Sequence, residues 1–284
     1  MGALPDTGVF STDLSDHDGP QKYPGRREHT RRVDFSKNQY QESPQIGVGL
    51  NAASIRTRRL DCESNDKDNI RIEAQSTGIE PSGFTPRIST WWNSILNSAR
   101  INWLEAKASA KECQIGEWIP ESKPSEAKRS TDIRFAHPFA EKPVIVVWLK
   151  YLDLRLREGY YCIQTYSDNT TAEGFTLHID TAEDQVYKAG VTWIAFKKGK
   201  TSVQSGSFGD MSKDGFSQKS HKVSFQKGKF SKPPTILSGI NMIYCPTTKP
   251  LKLASEVSDV SASGFTWIMQ RDEDWMCNAH YIAL

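Results

Sequence analysis

The sequence predicts an all-β protein made of three tandem six-stranded antiparallel β-sandwich domains. A Gly-Phe pair begins at Gly83, Gly174 and Gly264, so successive copies lie 91 and 90 residues apart. A fixed period of this size is typical of a repeated domain. Within each copy, short alternating apolar runs are separated by clusters of Gly, Pro, Asn and Ser, which is the pattern of all-β folds.

Each copy opens with a turn-rich segment that is followed by a polar loop. The opening segments are 7–10, 114–118 and 204–208. A short alternating strand comes next, and an aromatic residue, a proline and an apolar run follow it. These strands are 33–35, 133–135 and 223–225.

A further strand precedes each Gly-Phe pair, another begins at its phenylalanine, and an aromatic-containing run closes the copy. The closing runs contain Trp103, Trp193 and Tyr281. Segment 94–106 is the one helix candidate, and it contains too many breaks for a helix. We therefore expect about six strands in each copy, with the shared aromatic, glycine and proline positions serving as core and corner residues.

The predicted domains are 1–106, 111–198 and 202–284. The joins between them are too short to be flexible spacers. Three similar domains on short joins can pack around a pseudo-threefold axis, as the subunits of a homotrimer do. We expect a monomer with this internal symmetry, or a small homo-oligomer.

The charge balance excludes some classes of partner. The chain has 36 Lys and Arg against 34 Asp and Glu, a net charge of +2 that gives no reason to expect nucleic acid or a charged membrane. No apolar stretch approaches the roughly 20 residues of a membrane span. Residues 1–16 lack the pattern of a secretory signal, so we expect a cytoplasmic or non-classically secreted protein without membrane insertion.

The sequence predicts neither a cofactor nor an enzyme. The cysteines do not recur at matching positions, form no CxxC pair, and are expected to be reduced thiols: Cys62, Cys113, Cys162, Cys245 and Cys277. The histidines show no metal-binding spacing, and no P-loop, GxSxG or GxGxxG motif occurs. The acidic run 66–69 looks like part of a calcium loop but lacks the remaining ligands, and we interpret it as a solvated turn.

The first copy carries an ordered set of motifs: Phe35, Tyr40, Pro44, Leu60-Asp61, Asn69-Ile70-Arg71, Gly83-Phe84, Thr90-Trp91-Trp92-Asn93 and Trp103. In this order and spacing they resemble the H-type lectin domain, the family of the snail agglutinins and of the carboxy-terminal domain of slime-mould discoidins. The resemblance covers nearly the whole chain, once per copy, and is strongest in the first. It implies trimeric assembly and binding of galactose or N-acetylgalactosamine near the boundary between neighbouring protomers, which neighbouring copies would supply here.

The resemblance also implies a set of sugar-binding residues in the first copy. The family's arginine falls on Arg71 and its stacking tryptophan on Trp91, followed by Trp92, while Asn97 replaces a later tyrosine. The family also uses a glycine and an acidic residue from a loop before the first long strand. The expected matches are Gly25 and Glu28, with Asp18 as a competitor for the acidic role.

These residue types fit the chemistry of a sugar. An arginine can donate to two neighbouring hydroxyls, and a carboxylate can accept from two. An indole can cover the apolar C–H face of a galactose-type ring, and the acetamido methyl of N-acetylgalactosamine would favour a second aromatic such as Trp92. Because strand side chains alternate, Trp91 and Trp92 are expected to face opposite ways.

The other two copies depart from this pattern. The arginine position is Cys162 in the second and Lys252 in the third, and the tryptophan position is Ala182 in the second. We therefore expect one working site that binds glycans with terminal galactose or N-acetylgalactosamine. The alternative is a structural or protein-interaction protein that kept the fold and lost sugar binding in most copies.

Overall fold

The computed structural model describes residues 7–12, 25–57, 69–121, 128–155, 159–181, 186–200, 202–210, 219–247, 249–271 and 276–284. Every regular element in these ranges is a β-strand, and every strand pairing is antiparallel. Within the same ranges the chain forms no helix long and apolar enough to cross a membrane. The expected all-β class is confirmed.

The strands recur in the same order in each repeat. Repeat 1 contains β1 (Thr7–Ser11), β2 (Gly25–Thr30), the short β3 (Val33–Asp34), β4 (Gln45–Thr57), β5 (Asn69–Glu80), β6 (Gly83–Trp92) and β7 (Ser94–Ala106). Repeat 2 contains β8 (Cys113–Trp118), β9 (Lys128–Arg134), β10 (Val144–Arg155), β11 (Tyr160–Asp168), β12 (Gly174–Thr181) and β13 (Val186–Phe196). Repeat 3 contains β14 (Gln204–Asp210), β15 (Lys219–Ser224), β16 (Ile236–Pro246), β17 (Leu251–Ser261), β18 (Gly264–Arg271) and β19 (Met276–Ala283).

Each of the three sheets joins strands from two repeats. Their orders are β1-β7-β4-β17-β18-β15, β2-β6-β5-β10-β13-β8 with β3 also on β6, and β14-β19-β16-β11-β12-β9. The pairings that cross from one repeat to another are β4 with β17, β10 with β5, and β16 with β11. Repeat 1 is thus joined to repeat 3, repeat 2 to repeat 1, and repeat 3 to repeat 2, which closes a cycle.

The two halves of each repeat face each other through the aromatic residues that the sequence repeats. Phe84 meets Trp103, and Phe175 meets Trp193, each edge-to-face with ring centroids 5.5 Å apart. In repeat 3 the corresponding rings lie 5.1 Å apart, as Phe265 meets Tyr281. Each pair joins strands that belong to different sheets, so the Gly-Phe pair and the closing aromatic residue form the centre of each sandwich.

The glycine of each Gly-Phe pair is required by a close backbone approach. A Cβ atom at Gly83 or Gly174 would lie 2.2 Å from the carbonyl oxygen of Val33 or Ile133. A Cβ atom at Gly264 would lie 2.1 Å from the carbonyl oxygen of Val223. Any side chain here would force the neighbouring strand away, which explains why all three repeats keep glycine.

The opening segments are strands, and the expectation that they are turn-rich is wrong. Each contains a glycine that faces the closing aromatic residue of the same repeat: Gly8 opposite Trp103, Gly116 opposite Trp193, and Gly206 opposite Tyr281. A Cβ atom at these glycines would lie 2.0, 2.4 and 2.7 Å from the ring. The glycine therefore makes room for an aromatic side chain on the neighbouring strand. Segment 94–106, rejected above as a helix, forms strand β7.

A second apolar cluster, the central cluster, collects residues from all three repeats: Leu104, Ala106, Cys113, Val146, Trp148, Ile194, Phe196, Val203, Leu237 and Ile282. Trp148 on β10 is its largest member and is completely buried. Gly49 and Gly239 occupy the matching positions on β4 and β16, and Cβ atoms there would approach Trp148 to 2.5 and 2.2 Å. One tryptophan and two glycines thus fill a space to which each repeat contributes one residue.

Three matching side chains hydrogen-bond across the repeats beside this cluster. Nδ2 of Asn102 donates to the carbonyl oxygen of Ser238 at 2.8 Å, and Oγ1 of Thr192 donates to that of Val48 at 2.7 Å. In repeat 3, Nδ1 of His280 lies 3.2 Å from the carbonyl oxygen of Val147. Desolvation by burial lowers the pKa of His280 to about 4, so a neutral ring occupies this position.

Trp148→Ala should lower the free energy of unfolding by about 3–5 kcal/mol, because the central cluster would lose its largest side chain and keep a cavity between two glycines. Urea denaturation measures the loss. Trp92→Ala removes the same side chain from an exposed position and should change stability little. Equal losses in the two variants would contradict the central role of Trp148.

Stability should fall on acidification because of His280. Its pKa is about 4 in the folded protein against 6.5 for an unperturbed ring. Between these two pH values the His280 ring is largely protonated in the unfolded chain and largely neutral in the folded chain. The free energy of unfolding therefore falls as pH decreases through this window, by up to roughly 1.4 kcal/mol for each pH unit.

His280→Asn introduces the residue that repeat 1 has at this position. The stability loss between about pH 7 and about pH 5 should be smaller in this variant. Thr192→Asn makes a parallel change without a titrating group and should keep the acid sensitivity of the unaltered protein. If His280→Asn loses as much stability on acidification as Thr192→Asn, the source of the effect lies elsewhere.

Candidate functional site

The junction between repeats 1 and 2 carries Arg71, the arginine predicted to bind sugar. Strand β5 pairs with β10 in a register that sets Arg71 opposite Asp153 and Glu73 opposite Tyr151. Ile70 and Ile72, on either side of Arg71, point into the core and are at most 1% exposed. Because strand side chains alternate, Arg71 and Asp153 share the face of the sheet opposite this core.

Arg71 and Asp153 form a largely buried ion pair between the repeats. Nε of Arg71 lies 3.2 Å from Oδ1 of Asp153, and the two side chains are 11% and 10% exposed. Asn69 donates from Nδ2 to the same carboxylate at 3.1 Å. Burial raises the pKa of Asp153, and the charge of Arg71 opposes the shift. The carboxylate thus depends on the arginine and the amide for compensation of its burial.

The hairpin between β6 and β7 fixes the arginine from its other side. Oγ of Ser94 accepts from the backbone N–H of Arg71 at 2.8 Å and donates to the carbonyl oxygen of Asn69 at 2.9 Å. Oδ1 of Asn93 accepts from Nη1 of Arg71 at 3.5 Å. The described contacts of the guanidinium therefore use Nε and Nη1, and Nη2 carries two more N–H donors.

The two tryptophans lie beside this pair and differ in exposure. Trp91 is half-buried, and its ring lies 5.5 Å from that of Tyr151, two residues before Asp153. Trp92 is 39% exposed and has a φ of 63°. Positive φ is rare for a bulky residue. Trp91 thus packs against a ring of repeat 2, and Trp92 is the more exposed of the two indoles.

The other predicted residues lie in different surroundings. Glu28 pairs with Arg87 at 3.2 Å, and Gly25 lies opposite Trp92 in the β2–β6 ladder, so both belong to a strand where a loop was expected. Asn97 donates to Oγ of Ser54 at 3.3 Å, in the sheet that joins repeats 1 and 3. Asp18 lies outside the described residues, as do Cys62, Ala182 and 66–68.

Repeat 2 contributes residues to this junction that the sequence did not predict. Asp153 and Tyr151 face Arg71 and Trp91, yet no motif marks them. One signal was available, since Asp153 and Lys150 are charged residues inside the apolar run of β10. A charge at such a position requires a partner, but the partner becomes evident only from the cross-repeat pairing.

The junction between repeats 2 and 3 has an aromatic character. The position of Arg71 is taken by Cys162, and Tyr244 stands opposite it in the place of Asp153. The ring of Tyr160 stacks on that of Tyr244 with centroids 4.9 Å apart, and Tyr160 is 46% exposed. This junction replaces an ion pair by two tyrosines and a thiol.

The junction between repeats 3 and 1 holds a cavity of about 460 Å³ that is lined by both polar and apolar side chains. Lys252 stands opposite Ser54 in the matching pair of positions, and both line the cavity. Across it Arg100 pairs with Glu256 at 3.3 Å, and Gln270 donates to Glu256 at 2.7 Å. The three junctions therefore have one backbone arrangement and three different sets of side chains.

No group of three or more His, Cys, Asp or Glu side chains suited to a metal ion occurs in the part of the chain that the structure describes. The candidate site is therefore built from a charged pair, amides and aromatic rings. Such a set can hydrogen-bond the hydroxyls of a ligand and cover an apolar ring face.

The model of the H-type lectin domain matches the sequence three times, at residues 30–104, 130–196 and 220–284. These matches cover well over half of the chain, and the protein belongs to the H-type lectin domain family. Each match contains one Gly-Phe pair and one closing aromatic run. The resemblance noted from the sequence and the three tandem repeats are both confirmed, and carbohydrate binding is the property that defines a lectin.

Among solved structures, the chain is similar to wild-type discoidin II from Dictyostelium discoideum, with 15% identity and a TM-score of 0.27 over 69% of this chain and 98% of that one. The recombinant discoidin II of the same organism gives 15% identity and a TM-score of 0.27 over 67% and 95%. No match is found among curated proteins. The family assignment rests on the three domain matches.

Arg71→Ala should lower the free energy of unfolding by about 3–5 kcal/mol, since it leaves the buried Asp153 carboxylate without its charged partner. The double variant Arg71→Met, Asp153→Leu removes both charges and should be much less destabilised. Urea denaturation of the two variants gives the comparison. A double variant at least as unstable as the single one would show that the pair itself stabilises the junction.

Proposed function

We propose that this protein is a non-catalytic lectin that binds glycans ending in galactose or N-acetylgalactosamine at the junction of repeats 1 and 2. The observation that carries the proposal is the Arg71–Asp153 pair, formed across the junction with Trp91 and Trp92 beside it. It supplies a donor and an acceptor that are fixed in position before the ligand arrives. Preorganisation of this kind reduces the entropy that binding must overcome.

The chemistry of the site suits a galactose-type ring. The two N–H groups on Nη2 of Arg71 and the free lone pairs of the Asp153 carboxylate are directed groups for neighbouring hydroxyls. The exposed indole of Trp92 offers an apolar surface to the ring or to an acetamido methyl. In this proposal Asp153 takes the acidic role that the sequence suggested for Glu28, which is paired with Arg87. Asp18, the other residue suggested for this role, lies outside the described residues.

The cyclic strand pairing supports a single chain that reproduces the arrangement of a trimeric lectin. The three junctions differ in side chains, so the proposal assigns galactose-type binding to one of them. A monomer would then bind one sugar at a time, and strong attachment to a glycan-covered surface would require further contacts or more than one chain.

The alternative is a protein-interaction role for a chain that kept the lectin fold. It is favoured by the burial of Arg71. At the other two junctions, the positions of Arg71 and Asp153 are also occupied by other residues. A pull-down distinguishes the two functions. Partner capture that survives an excess of free galactose and N-acetylgalactosamine supports the alternative.

The intact protein should bind N-acetylgalactosamine or galactose on a glycan array and in titration calorimetry, and Arg71→Ala should abolish this binding. Because that variant is also expected to be less stable, Trp92→Ala provides a second test at an exposed position. It should fold normally and weaken binding by about 1–2 kcal/mol, roughly the contribution of one stacking ring.

Glu256→Gln at the junction of repeats 3 and 1 is the matched control and should leave sugar binding unchanged. If it abolishes binding and Trp92→Ala leaves binding unchanged, the cavity at that junction is the sugar site. If the unaltered protein binds no glycan on the array, the lectin function itself is wrong.

A further inference from the structure

Three loops carry a cluster of lysines at the end of the molecule where β7 and β13 finish. Residues 107–112 and 197–200 belong to the joins between repeats, and residues 226–232 connect β15 with β16. We call this cluster the lysine face: Lys107, Lys111, Lys197, Lys198, Lys200, Lys227, Lys229 and Lys232. Six of these eight side chains are exposed, and those of Lys200 and Lys229 are half-buried.

Direct contacts hold the three loops together. The backbone N–H of Lys197 donates to the carbonyl oxygen of Glu112 at 3.0 Å, which joins the first loop to the second. Nζ of Lys229 donates to the carbonyl oxygen of Lys200 at 2.5 Å, which joins the second to the third. The lysines therefore form one continuous surface contributed by all three repeats.

Glu112 is the one acidic residue in these loops. Its carboxylate lies 3.3 Å from Nζ of Lys200 and 3.6 Å from Nζ of Lys197. The hydrogen bond from Lys200 is the main cause of a lowered pKa of Glu112. Glu42 of the repeat 1 loop lines a cavity together with Lys107 at the edge of the face. Within the three loops themselves, one carboxylate stands against eight lysines.

The net charge of the whole chain is close to zero, although basic residues are concentrated in these three loops. The whole chain has 36 basic and 34 acidic residues. The three loops contain eight lysines and one glutamate, which leaves 28 basic and 33 acidic residues elsewhere. The lysine face thus carries +7 and the remainder −5, and the field near this face is that of a strongly basic surface.

The backbone turn of the third loop does not require lysine. In repeat 3 the backbone N–H of Lys229 donates to the carbonyl oxygen of Gln226. Repeat 1 makes the same turn without lysine at this position, as the N–H of Gln39 donates to the carbonyl oxygen of Ser36. The middle residue has a φ of 63° at Asn38 and 74° at Gly228. The repeat 1 loop carries one lysine and one glutamate, so the basic character belongs to repeat 3 and to the joins.

The type of basic residue indicates the type of partner. All eight are lysines and none is arginine, so the face offers mobile point charges without the rigid fork that recognises one phosphate. The aromatic residue of the third loop, Phe230, packs on Phe225 and provides no stacking platform for bases. These features fit a surface with many mobile anionic groups better than one nucleic-acid strand.

We propose that the lysine face docks the protein on a bilayer surface rich in anionic phospholipid headgroups. Docking would be peripheral, through charge alone. Asp153 lies nine residues beyond Val144 along β10, about 30 Å from the end where the lysines lie. The proposed sugar site would then point away from the bilayer, towards glycans on an opposing surface.

Vesicle co-sedimentation tests this proposal with the full chain and without glycolipid, so that the sugar site takes no part. The protein should bind phosphatidylcholine vesicles that contain phosphatidylserine and not vesicles of phosphatidylcholine alone. Raising salt from 0.1 M to 1 M shortens the Debye length from about 10 Å to about 3 Å and should abolish binding.

The test variant Lys229→Gln, Lys232→Glu introduces the residues that repeat 1 has at these positions. It removes three units of positive charge and should weaken binding about a hundredfold, from roughly 1 kcal/mol for each unit. The matched control Lys37→Gln, Lys142→Glu makes the same charge change in the corresponding loops of repeats 1 and 2. It should weaken binding far less.

Equal losses in the two variants would show that net charge matters and the lysine face does not, which overturns the proposal. Absence of binding to phosphatidylserine vesicles would overturn it as well. Tight binding of heparin or duplex DNA by a protein that does not sediment with the vesicles would also overturn it. None of these outcomes touches the lectin function, which the glycan array tests separately.

Discussion

Each repeat has two strands whose outer edges find hydrogen-bond partners only in a neighbouring repeat, and the rest of the molecule depends on this constraint. Strands β4, β10 and β16 pair with β17, β5 and β11 of a different copy. An unpaired edge would leave a row of backbone donors and acceptors open to aggregation. The three cyclic pairings satisfy all six of these edges and bring side chains of two repeats to every junction. They also hold together the three repeats that contribute to the central cluster.

Because the three copies belong to one chain, matching positions can hold different residues. Trp148 and the two glycines Gly49 and Gly239 fill one space from matching positions, which three identical subunits could not do. Asn102, Thr192 and His280 make equivalent cross-repeat contacts with three chemistries. The same freedom places an ion pair at one junction, two tyrosines at the second and a cavity beside a second ion pair at the third. Each junction thereby has its own chemistry on a nearly regular scaffold.

The two ends of the strands have separate characters. One end carries the Arg71–Asp153 pair and the tryptophans, which we propose as the glycan site of this member of the H-type lectin domain family. The other end carries the joins and the lysine face. A body with directed hydrogen-bonding groups at one end and diffuse positive charge at the other is suited to bridging two surfaces.

The sequence by itself determined the all-β class, the threefold repetition and the residues at the centre of each sandwich, because alternation, turn residues and a fixed period depend on neighbours along the chain. It also singled out Arg71 and Trp91. Only the tertiary structure decided that the opening segments are strands, that the sheets are shared, that Asp153 and Tyr151 face the predicted residues, and that eight lysines form one surface. These features depend on contacts between residues that lie far apart in the sequence, such as Arg71 and Asp153. No local pattern specifies which distant strand completes a sheet.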